Sequence, residues 1–169
     1  MRGLLRTTLT VFAGMALSGQ APPPAQSRPS PCAAPEFSQF DFWVGEWDVY
    51  GPGGRHVANS LIEKVYGCGI RENWKPFRGP GGGSLNIYVP ATKKWEQFWI
   101  DGGGTRAHFT GGMNGTVMVL TGEWSGPLTR MTYTPNPDGS VRQLVEQSTD
   151  QGKTWGTAAD FTYRRHKAS

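Results

Sequence analysis

FDFWVGEWDV, residues 40–49, is the stretch of this sequence that says most about the fold. Residues 36–43 have the composition of a short helical turn, and the residues that follow have the composition of a β-strand. Gly45 and Trp47 stand at the start of that strand in the spacing Gly-x-Trp. The stretch therefore predicts a helical turn that leads directly into the first strand of a domain.

The sequence from Gly45 onward consists of short runs rich in β-branched and aromatic residues, separated by glycine, proline and asparagine. Asn114-Gly115 and Asp138-Gly139 are dipeptides typical of tight hairpin turns, because both central residues of a type I′ turn need a positive φ. The predicted strands are residues 45–50, 56–66, 69–74, 84–89, 94–101, 105–111, 116–124, 128–134, 140–148 and 159–164.

About ten strands joined by short loops predict an all-β domain in which each strand lies beside its sequence neighbour. Such a meander has two exposed edges unless the sheet closes on itself. The 24 glycines allow bends, and the seven tryptophans and eight phenylalanines can fill an interior. We therefore expect an up-and-down antiparallel β-barrel of about 8–10 strands over residues 36–166, with a two-sheet sandwich as the alternative.

The Gly-x-Trp opening resembles that of lipocalin-type barrels, in which the tryptophan plugs the closed end. In those proteins a basic side chain from near the last strand often stacks on the tryptophan, and the resemblance makes Arg142 and Arg164 the candidates here. More widely, the chain resembles a family of secreted bacterial proteins of unknown function with a lipocalin-like fold. The resemblance implies the fold and no particular activity. It is carried by FDFWVGEWDV (residues 40–49), SLNIYVPATKKWEQFWID (84–101), TPNPDGSVRQ (134–143) and STDQGKTW (148–155).

A second motif, near the C-terminus, matches the Asp-box pattern Ser-x-Asp-x-Gly-x-Thr-Trp. In sialidases this motif is a structural hairpin that recurs once per propeller blade, and a single copy argues against such a propeller. Serine and aspartate side chains can bond the backbone of a turn, while glycine supplies an unusual φ. We expect a structural clasp for the final hairpin, formed by Ser148, Asp150, Gly152, Thr154 and Trp155.

Residues 1–21 have the features of a secretory signal peptide. Arg2 and Arg6 precede an apolar run at residues 9–17, and small residues place a cleavage site after Ala21. The apolar run is about half of the roughly 20 residues that a bilayer span needs. We therefore expect a periplasmic or secreted protein with no stable membrane anchor, and an uncleaved anchor is the alternative.

The proline-rich residues 22–35 predict a disordered lead-in to the domain. Cys32 and Cys68 are the two cysteines of the chain, and an even number in an oxidising compartment favours a disulfide. That bond would tie the lead-in to the domain and stabilise the fold by about 3–4 kcal/mol. The alternative is one buried and one unused thiol.

Charge and motifs exclude several classes of function. The formal net charge of +4 falls to +2 when Arg2 and Arg6 are removed with residues 1–21, and the other charges are scattered. Nucleic-acid binding, which needs a basic face, is not expected. The sequence has no Cys-x-x-Cys or His-Glu-x-x-His motif, so we assign no metal ligands and no catalytic residues. His108 is the one plausible axial ligand for an interior heme, but a lone strand histidine is more often a surface residue, so no cofactor is expected.

Strand alternation places polar and aromatic side chains together on common faces. If these faces point inward, the barrel holds a cavity walled by indoles with a few polar groups, which is typical of small-molecule sites. If they point outward, they are ordinary solvated faces around a filled interior. The predicted ligand-binding residues are Glu72, Trp74, Asn86, Tyr88, Gln97, Trp99, Arg142 and Glu146.

Three functional hypotheses follow. The first is an exported protein that binds a small, partly apolar ligand in the barrel. The second is an isomerase-like or cyclase-like enzyme that uses the same cavity, although the sequence gives no separation for Glu72 and Glu146 as an acid–base pair. The third is a protein-interaction module without a pocket, which would expose tryptophans as a contiguous apolar surface.

Overall fold

The alternating runs of the chain form strands that each pair with their sequence neighbours, and the last strand meets the first. A computed structural model describes residues 32–167, and within that range it shows a closed barrel of ten antiparallel strands. Short 3₁₀ turns precede the barrel at Pro35–Ser38 and Asp41–Trp43, and a third, Pro52–Gly54, joins the first two strands. The strands are β1 (Gly45–Tyr50), β2 (His56–Val65), β3 (Gly69–Pro76), β4 (Gly82–Val89), β5 (Lys94–Asp101), β6 (Arg106–Asn114), β7 (Val117–Glu123), β8 (Leu128–Pro135), β9 (Val141–Ser148) and β10 (Gly156–Arg165).

The prediction of an all-β, up-and-down antiparallel barrel with a short N-terminal helical turn is confirmed. β1 pairs with both β10 and β2, which closes the sheet and excludes the two-sheet sandwich. The predicted signal peptide, residues 1–21, and most of the predicted lead-in, residues 22–35, lie outside the described residues. Within residues 32–167, none of the helices combines the length and apolar character that a membrane crossing needs.

One end of the barrel is closed by the aromatic side chains of the opening stretch. Phe40, Trp43 and Trp47 are fully buried, and Phe40 stacks on Trp43 with ring centroids 5.0 Å apart. Trp47 Nε1 donates a hydrogen bond to the Trp43 carbonyl at 2.8 Å, which fixes the position of the indole. Tyr133 packs on Phe40 and on Trp43, with centroid distances of 5.0 and 4.9 Å. Tyr133 therefore joins this aromatic plug to the rest of the interior.

The Gly-x-Trp spacing is explained by an arginine from the last strand. The Arg165 guanidinium lies 3.9 Å from the centroid of the Trp47 ring, a cation–π contact, and its Nη1 donates to the Val44 carbonyl at 2.7 Å. Gly45 has a φ of +152°, and a Cβ at this position would collide with that guanidinium. Glycine is therefore needed two positions before the tryptophan to admit the arginine.

The two arginines expected on Trp47 lie elsewhere, so that expectation is wrong. Arg164 lies over the ring of Tyr50, at 5.0 Å from its centroid. Arg142 forms a two-pronged ion pair with Asp160, with Nε and Nη2 at 2.8 and 2.7 Å from the carboxylate oxygens. Strand alternation explains both placements, because these positions face away from the interior.

The predicted disulfide between Cys32 and Cys68 is confirmed. Cys68 lies in the connection between β2 and β3, so the bond ties the start of the described chain to the plugged end of the barrel. Phe37 reinforces this attachment, because its carbonyl accepts a hydrogen bond from Lys64 Nζ at 2.7 Å. Its ring also packs edge-on against Tyr88, with centroids 5.5 Å apart.

The Asp-box motif forms the turn between β9 and β10. Ser148 Oγ donates to Asp150 Oδ1 at 2.7 Å and accepts the Gly152 backbone N–H at 2.8 Å. The backbone N–H and hydroxyl of Thr154 both donate to Asp150, at 2.9 and 2.6 Å. Gly152 has a φ of +85°, and its carbonyl accepts a hydrogen bond from Trp155 Nε1 at 3.0 Å. These contacts have the geometry of a structural clasp.

Candidate functional site

The interior is open at the end opposite the aromatic plug, where it forms a cavity of about 480 Å³. This volume lies within the range of about 300–1,000 Å³ that is usual for small-molecule sites. Pro80, Asp101, Ser125 and Ala158 mark the mouth, at or beside the connections between successive strand pairs. The walls are mainly aromatic and aliphatic, formed by Trp74, Trp99, Phe109, Trp124, Val145 and Phe161.

A chain of hydrogen bonds crosses the floor of the cavity. Tyr163 Oη donates to Gln143 Oε1 at 2.7 Å, and Gln143 Nε2 donates to Tyr133 Oη at 2.9 Å. Gln97 Nε2 lies 3.4 Å from the same tyrosine hydroxyl and donates to Asn86 Oδ1 at 2.7 Å. The chain links β10, β9 and β8 to β5 and β4 across the interior, because β8 and β5 are not neighbours in the sheet.

The chain ends on a carboxyl group. Asn86 Nδ2 donates to Ser84 Oγ at 3.0 Å, and Ser84 Oγ donates to Glu72 Oε2 at 2.9 Å. Asn86 Nδ2 also donates to the Ile70 carbonyl at 3.2 Å. Because a carbonyl can only accept, this bond fixes the orientation of the Asn86 amide and turns its oxygen toward Gln97. The Gln97 amide nitrogen must then face Asn86, which leaves the Gln97 oxygen as an acceptor for other groups.

Glu72 is the most unusual titratable group of the cavity. Its side chain is buried, with 6% of the residue exposed, and burial raises its pKa to about 7 against the lowering effect of the Ser84 hydrogen bond. Burial and, secondarily, the negative charge of Glu72 raise the pKa of Tyr133 and of Tyr163. The floor therefore holds a carboxyl group that changes charge near neutral pH, beside two hydroxyls that stay protonated.

A second acidic group, Asp101, lies at the mouth. Its Oδ1 accepts the backbone N–H groups of Thr105 and Gly103 at 3.1 and 2.9 Å, and its Oδ2 accepts Trp99 Nε1 at 3.2 Å. These hydrogen bonds, led by the one from Thr105, lower the pKa of Asp101. Among the described residues that line the cavity, none is lysine, arginine or histidine. The site is therefore acidic from floor to mouth.

Four of the predicted ligand-binding residues line this cavity: Glu72, Trp74, Gln97 and Trp99. Asn86 lies beneath them and orients Gln97. Tyr88 lies closer to the plug, where it packs on Trp95 with ring centroids 6.3 Å apart. The sequence pattern therefore located one wall and part of the floor.

The inward placement expected for Arg142 and Glu146 is wrong. Arg142 pairs with Asp160, and Glu146 accepts a hydrogen bond from Arg130 Nε at 3.0 Å, both on the outer surface of the barrel. The inner face of β9 carries the other set of alternating residues, which includes Gln143. Burying charged groups is costly, so β9 turns its ion-pairing residues toward solvent.

Sequence reasoning missed the polar residues that β8, β9 and β10 contribute: Tyr133, Gln143, Gln147 and Tyr163. A signal was present in β9, because Gln143 lies on the same strand face as Val141 and Val145, which are buried. A polar residue that shares its strand face with buried aliphatic residues points into the interior. This signal depends on the strand face that the residue occupies, and it can therefore identify polar residues that have no obvious catalytic chemistry.

His108 lies on the outer face of the barrel. Its ring stacks on Phe98, with centroids 4.2 Å apart and planes 4° from parallel, and its Nε2 lies 3.1 Å from Glu96 Oε2. A histidine in this position cannot reach the interior. It therefore cannot act as the axial ligand that an interior heme would need.

The closed ten-stranded barrel, plugged at one end and hollow at the other, makes this protein lipocalin-like in architecture. Comparison with models of known protein families finds no match to this chain, and comparison with curated proteins finds none either. Function must therefore be argued from the cavity.

Proposed function

We propose that this protein binds a small, partly apolar molecule in the barrel cavity. The observation that carries the proposal is the cavity of about 480 Å³, which combines aromatic walls with a hydrogen-bonded polar floor. Ligand sites usually have this composition, because apolar walls supply affinity and a few fixed polar groups supply orientation. A filled interior, the alternative expected for a small barrel, would leave no such space.

The compartment proposed for this function is the periplasm or the extracellular space. The Cys32–Cys68 disulfide supports it, because disulfides persist in oxidising compartments. The features of residues 1–21 that are typical of a signal peptide agree with this location. The ligand would then be a molecule that the protein meets outside the cytoplasm.

A matched pair of tryptophan substitutions tests the proposal. Ala159 lines the cavity, so Ala159→Trp should fill it, whereas Thr132→Trp adds the same side chain to the outer face of β8. We expect the neutral fluorescent probe N-phenyl-1-naphthylamine to bind the wild type and Thr132→Trp, and to bind Ala159→Trp at least about tenfold more weakly. Circular dichroism establishes that both variants are folded. Equal binding by all three folded proteins would show that the probe site is not the cavity.

An enzyme that uses the same cavity is the second candidate, and Glu72 is the observation that favours it. A buried carboxyl with a pKa of about 7 can exchange protons at neutral pH, as a general acid or base must. Any activity found for the protein should then be lost in Glu72→Gln while ligand binding persists. An activity that survives in Glu72→Gln would remove this candidate.

A protein-interaction surface is the third candidate. Four apolar side chains are exposed on the outer faces of β4 and β5, namely Leu85, Ile87, Phe98 and Ile100, with Ile100 67% exposed. Leu85 lies directly opposite Phe98 in the strand register, so the patch is continuous. The tryptophans expected on such a surface are instead buried or partly buried. Size-exclusion chromatography of Phe98→Lys against the wild type tests self-association through this patch.

A further inference from the structure

We propose that the cavity holds a small organic cation, an amine whose ammonium group lies against Glu72 and whose apolar body contacts the aromatic walls. The inference rests on the proposed function, because it names the ligand class of the same cavity. Three independent features of the site support it: the sign of its charge, the polarity of its hydrogen-bonding groups and the composition of its walls.

The charge of the site is the first feature. Glu72 is a buried carboxyl with no basic partner among residues 32–167, and Asp101 adds a second acidic group at the mouth. An unpaired charge is costly to bury, because the interior solvates it poorly. A ligand ammonium would supply the missing positive charge, whereas a ligand carboxylate would meet Glu72 without compensation. The site therefore selects against anionic amphiphiles such as fatty acids.

The polarity of the floor is the second feature. The Tyr163 hydroxyl proton is donated to Gln143, and the Tyr133 hydroxyl, which accepts from Gln143, directs its proton to the Met131 sulfur at 3.6 Å. The Gln97 amide nitrogen is engaged by Asn86, so Gln97 offers its oxygen. The floor therefore presents mainly acceptors, the Glu72 carboxylate and an amide oxygen. An ammonium group carries three donors and matches this surface.

The aromatic walls are the third feature. Trp74 lies beside Phe161 and Tyr163, with ring centroids 5.5 and 6.3 Å apart, and all three line the cavity. Cations are attracted to the faces of aromatic rings, most strongly to tryptophan. These walls can therefore hold both the apolar body of an amine and the carbon atoms that carry its charge.

Three probes with the same body separate this proposal from simple apolar binding. They are 3-phenylpropylamine, 3-phenylpropanol and 3-phenylpropanoate, titrated into the wild type, Glu72→Gln and Glu46→Gln by calorimetry at pH 8. Glu46→Gln is the control, because Glu46 is exposed on the outer face of β1. We expect the wild type and the control to bind the amine about 10- to 100-fold more tightly than the alcohol, and the acid most weakly. Glu72→Gln should lose the amine preference and keep alcohol binding, which also shows that its cavity is intact.

A pH series adds a readout that a merely structural role of Glu72 would not give. The titratable groups that face Glu72 are Tyr133 from β8 and Tyr163 from β10, with Asp101 of β5 at the mouth. Both tyrosines stay neutral near pH 7, so among the described residues that line the cavity Glu72 is the group that changes charge there. Amine affinity should rise between about pH 6 and pH 8, because Glu72 ionises while an alkylamine stays protonated up to about pH 10. Alcohol affinity should stay constant.

The outcomes separate this inference from the proposed function. Equal binding of amine and alcohol, or an amine preference that persists in Glu72→Gln, would overturn the cation proposal and leave the ligand-binding function standing. Preferred binding of the acid would overturn it in the same way. Failure of the wild type to bind any of the three probes would contradict both proposals.

Discussion

At the scale of single residues, two positions carry a residue that is explained by its contacts with distant parts of the chain and not by its local sequence. Glu72 is buried beside two tyrosines, and Gly45 lacks a side chain so that Arg165 can lie on Trp47. The arginine contact joins the first strand to the last, and the carboxyl group gives the cavity its charge. Both features make predictions that stability measurements can check.

Glu72 should make the stability of the fold depend on pH. Its pKa is raised from 4.5 to about 7 in the folded state, so the folded protein binds the proton more tightly than the unfolded chain does. The contribution of Glu72 to the free energy of unfolding is therefore largest below pH 4.5 and falls as the pH rises to 7. Relative to that of Glu72→Gln, the free energy of unfolding of the wild type should fall by about 3 kcal/mol between pH 4 and pH 8, measured by urea denaturation. Parallel pH profiles for the two proteins, with Glu46→Gln as the control, would contradict the burial of an ionisable Glu72.

Gly45→Ala should destabilise the barrel by about 2 kcal/mol, because alanine is strained at a φ of +152° and its Cβ displaces Arg165. Arg165→Ala removes the group with which that Cβ collides. The loss of stability in the double variant should therefore be smaller than the sum of the losses in the two single variants, as measured by thermal denaturation. Gly139→Ala is the control, since Gly139 also has a positive φ but has nothing within 4 Å of the added Cβ. Additive losses would show that the collision is absent.

At the scale of elements, turn chemistry and strand pairing settle most of the architecture. The predicted bounds of β1 and β5 match the structure. Glycine begins the first run and follows it, and Lys93 and Gly102 flank the second. β4 begins at Gly82, two residues earlier than predicted. The prediction excluded Gly82 and Gly83 because glycine in sequence is typical of loops. A Cβ at Gly82 would lie 2.5 Å from the Trp99 indole on the next strand. This strand glycine has a tertiary cause, which the local sequence does not contain.

Which face of a strand points into the barrel is harder to predict than where the strand lies in the sequence, as β9 shows. Arg142 and Glu146 share one face and Gln143 and Gln147 share the other, so both faces carry polar groups. Alternation tells which residues lie together but not which side is inside. Valine at positions 141 and 145 indicates the inner face, and the preference for solvating charged groups points the same way. In β3 and β5 the polar residues that share a strand face with tryptophan, Glu72 and Gln97, line the cavity.

Asp150→Ala should loosen the hairpin formed by β9 and β10 and leave the other strands protected. Asp150 accepts hydrogen bonds from the backbone and side chain of Thr154 and from Ser148, and these bonds lower its pKa to about 2. Hydrogen exchange followed by mass spectrometry should show faster exchange confined to residues 148–157. Lys153→Ala changes an exposed residue of the same turn and should leave the exchange unaltered. Unchanged exchange in Asp150→Ala would show that the clasp does not hold the turn.

At the scale of the whole molecule, the two ends of the barrel have different roles. The plugged end gathers Phe40, Trp43, Trp47 and the Cys32–Cys68 bond, so its packing is dense and covalently tied. The other end is left hollow, and its polar floor rests directly on the plug through Tyr133. The closed barrel follows from the number of strands and their short connections. The hollow does not follow from the sequence, because it depends on how side chains from six different strands meet.

Native mass spectrometry of the protein, purified without reductant, determines whether the cavity holds a ligand. If the cavity is a ligand site, the spectrum contains a species heavier than the disulfide-bonded chain, whose extra mass leaves on denaturation and lies in the range of a small organic molecule. Ala159→Trp, which fills the cavity, should lose that extra mass, and Thr132→Trp should keep it. A bare wild-type chain that also fails to take up 3-phenylpropylamine or 3-phenylpropanol added at millimolar concentration would contradict the claim that the cavity is a ligand site.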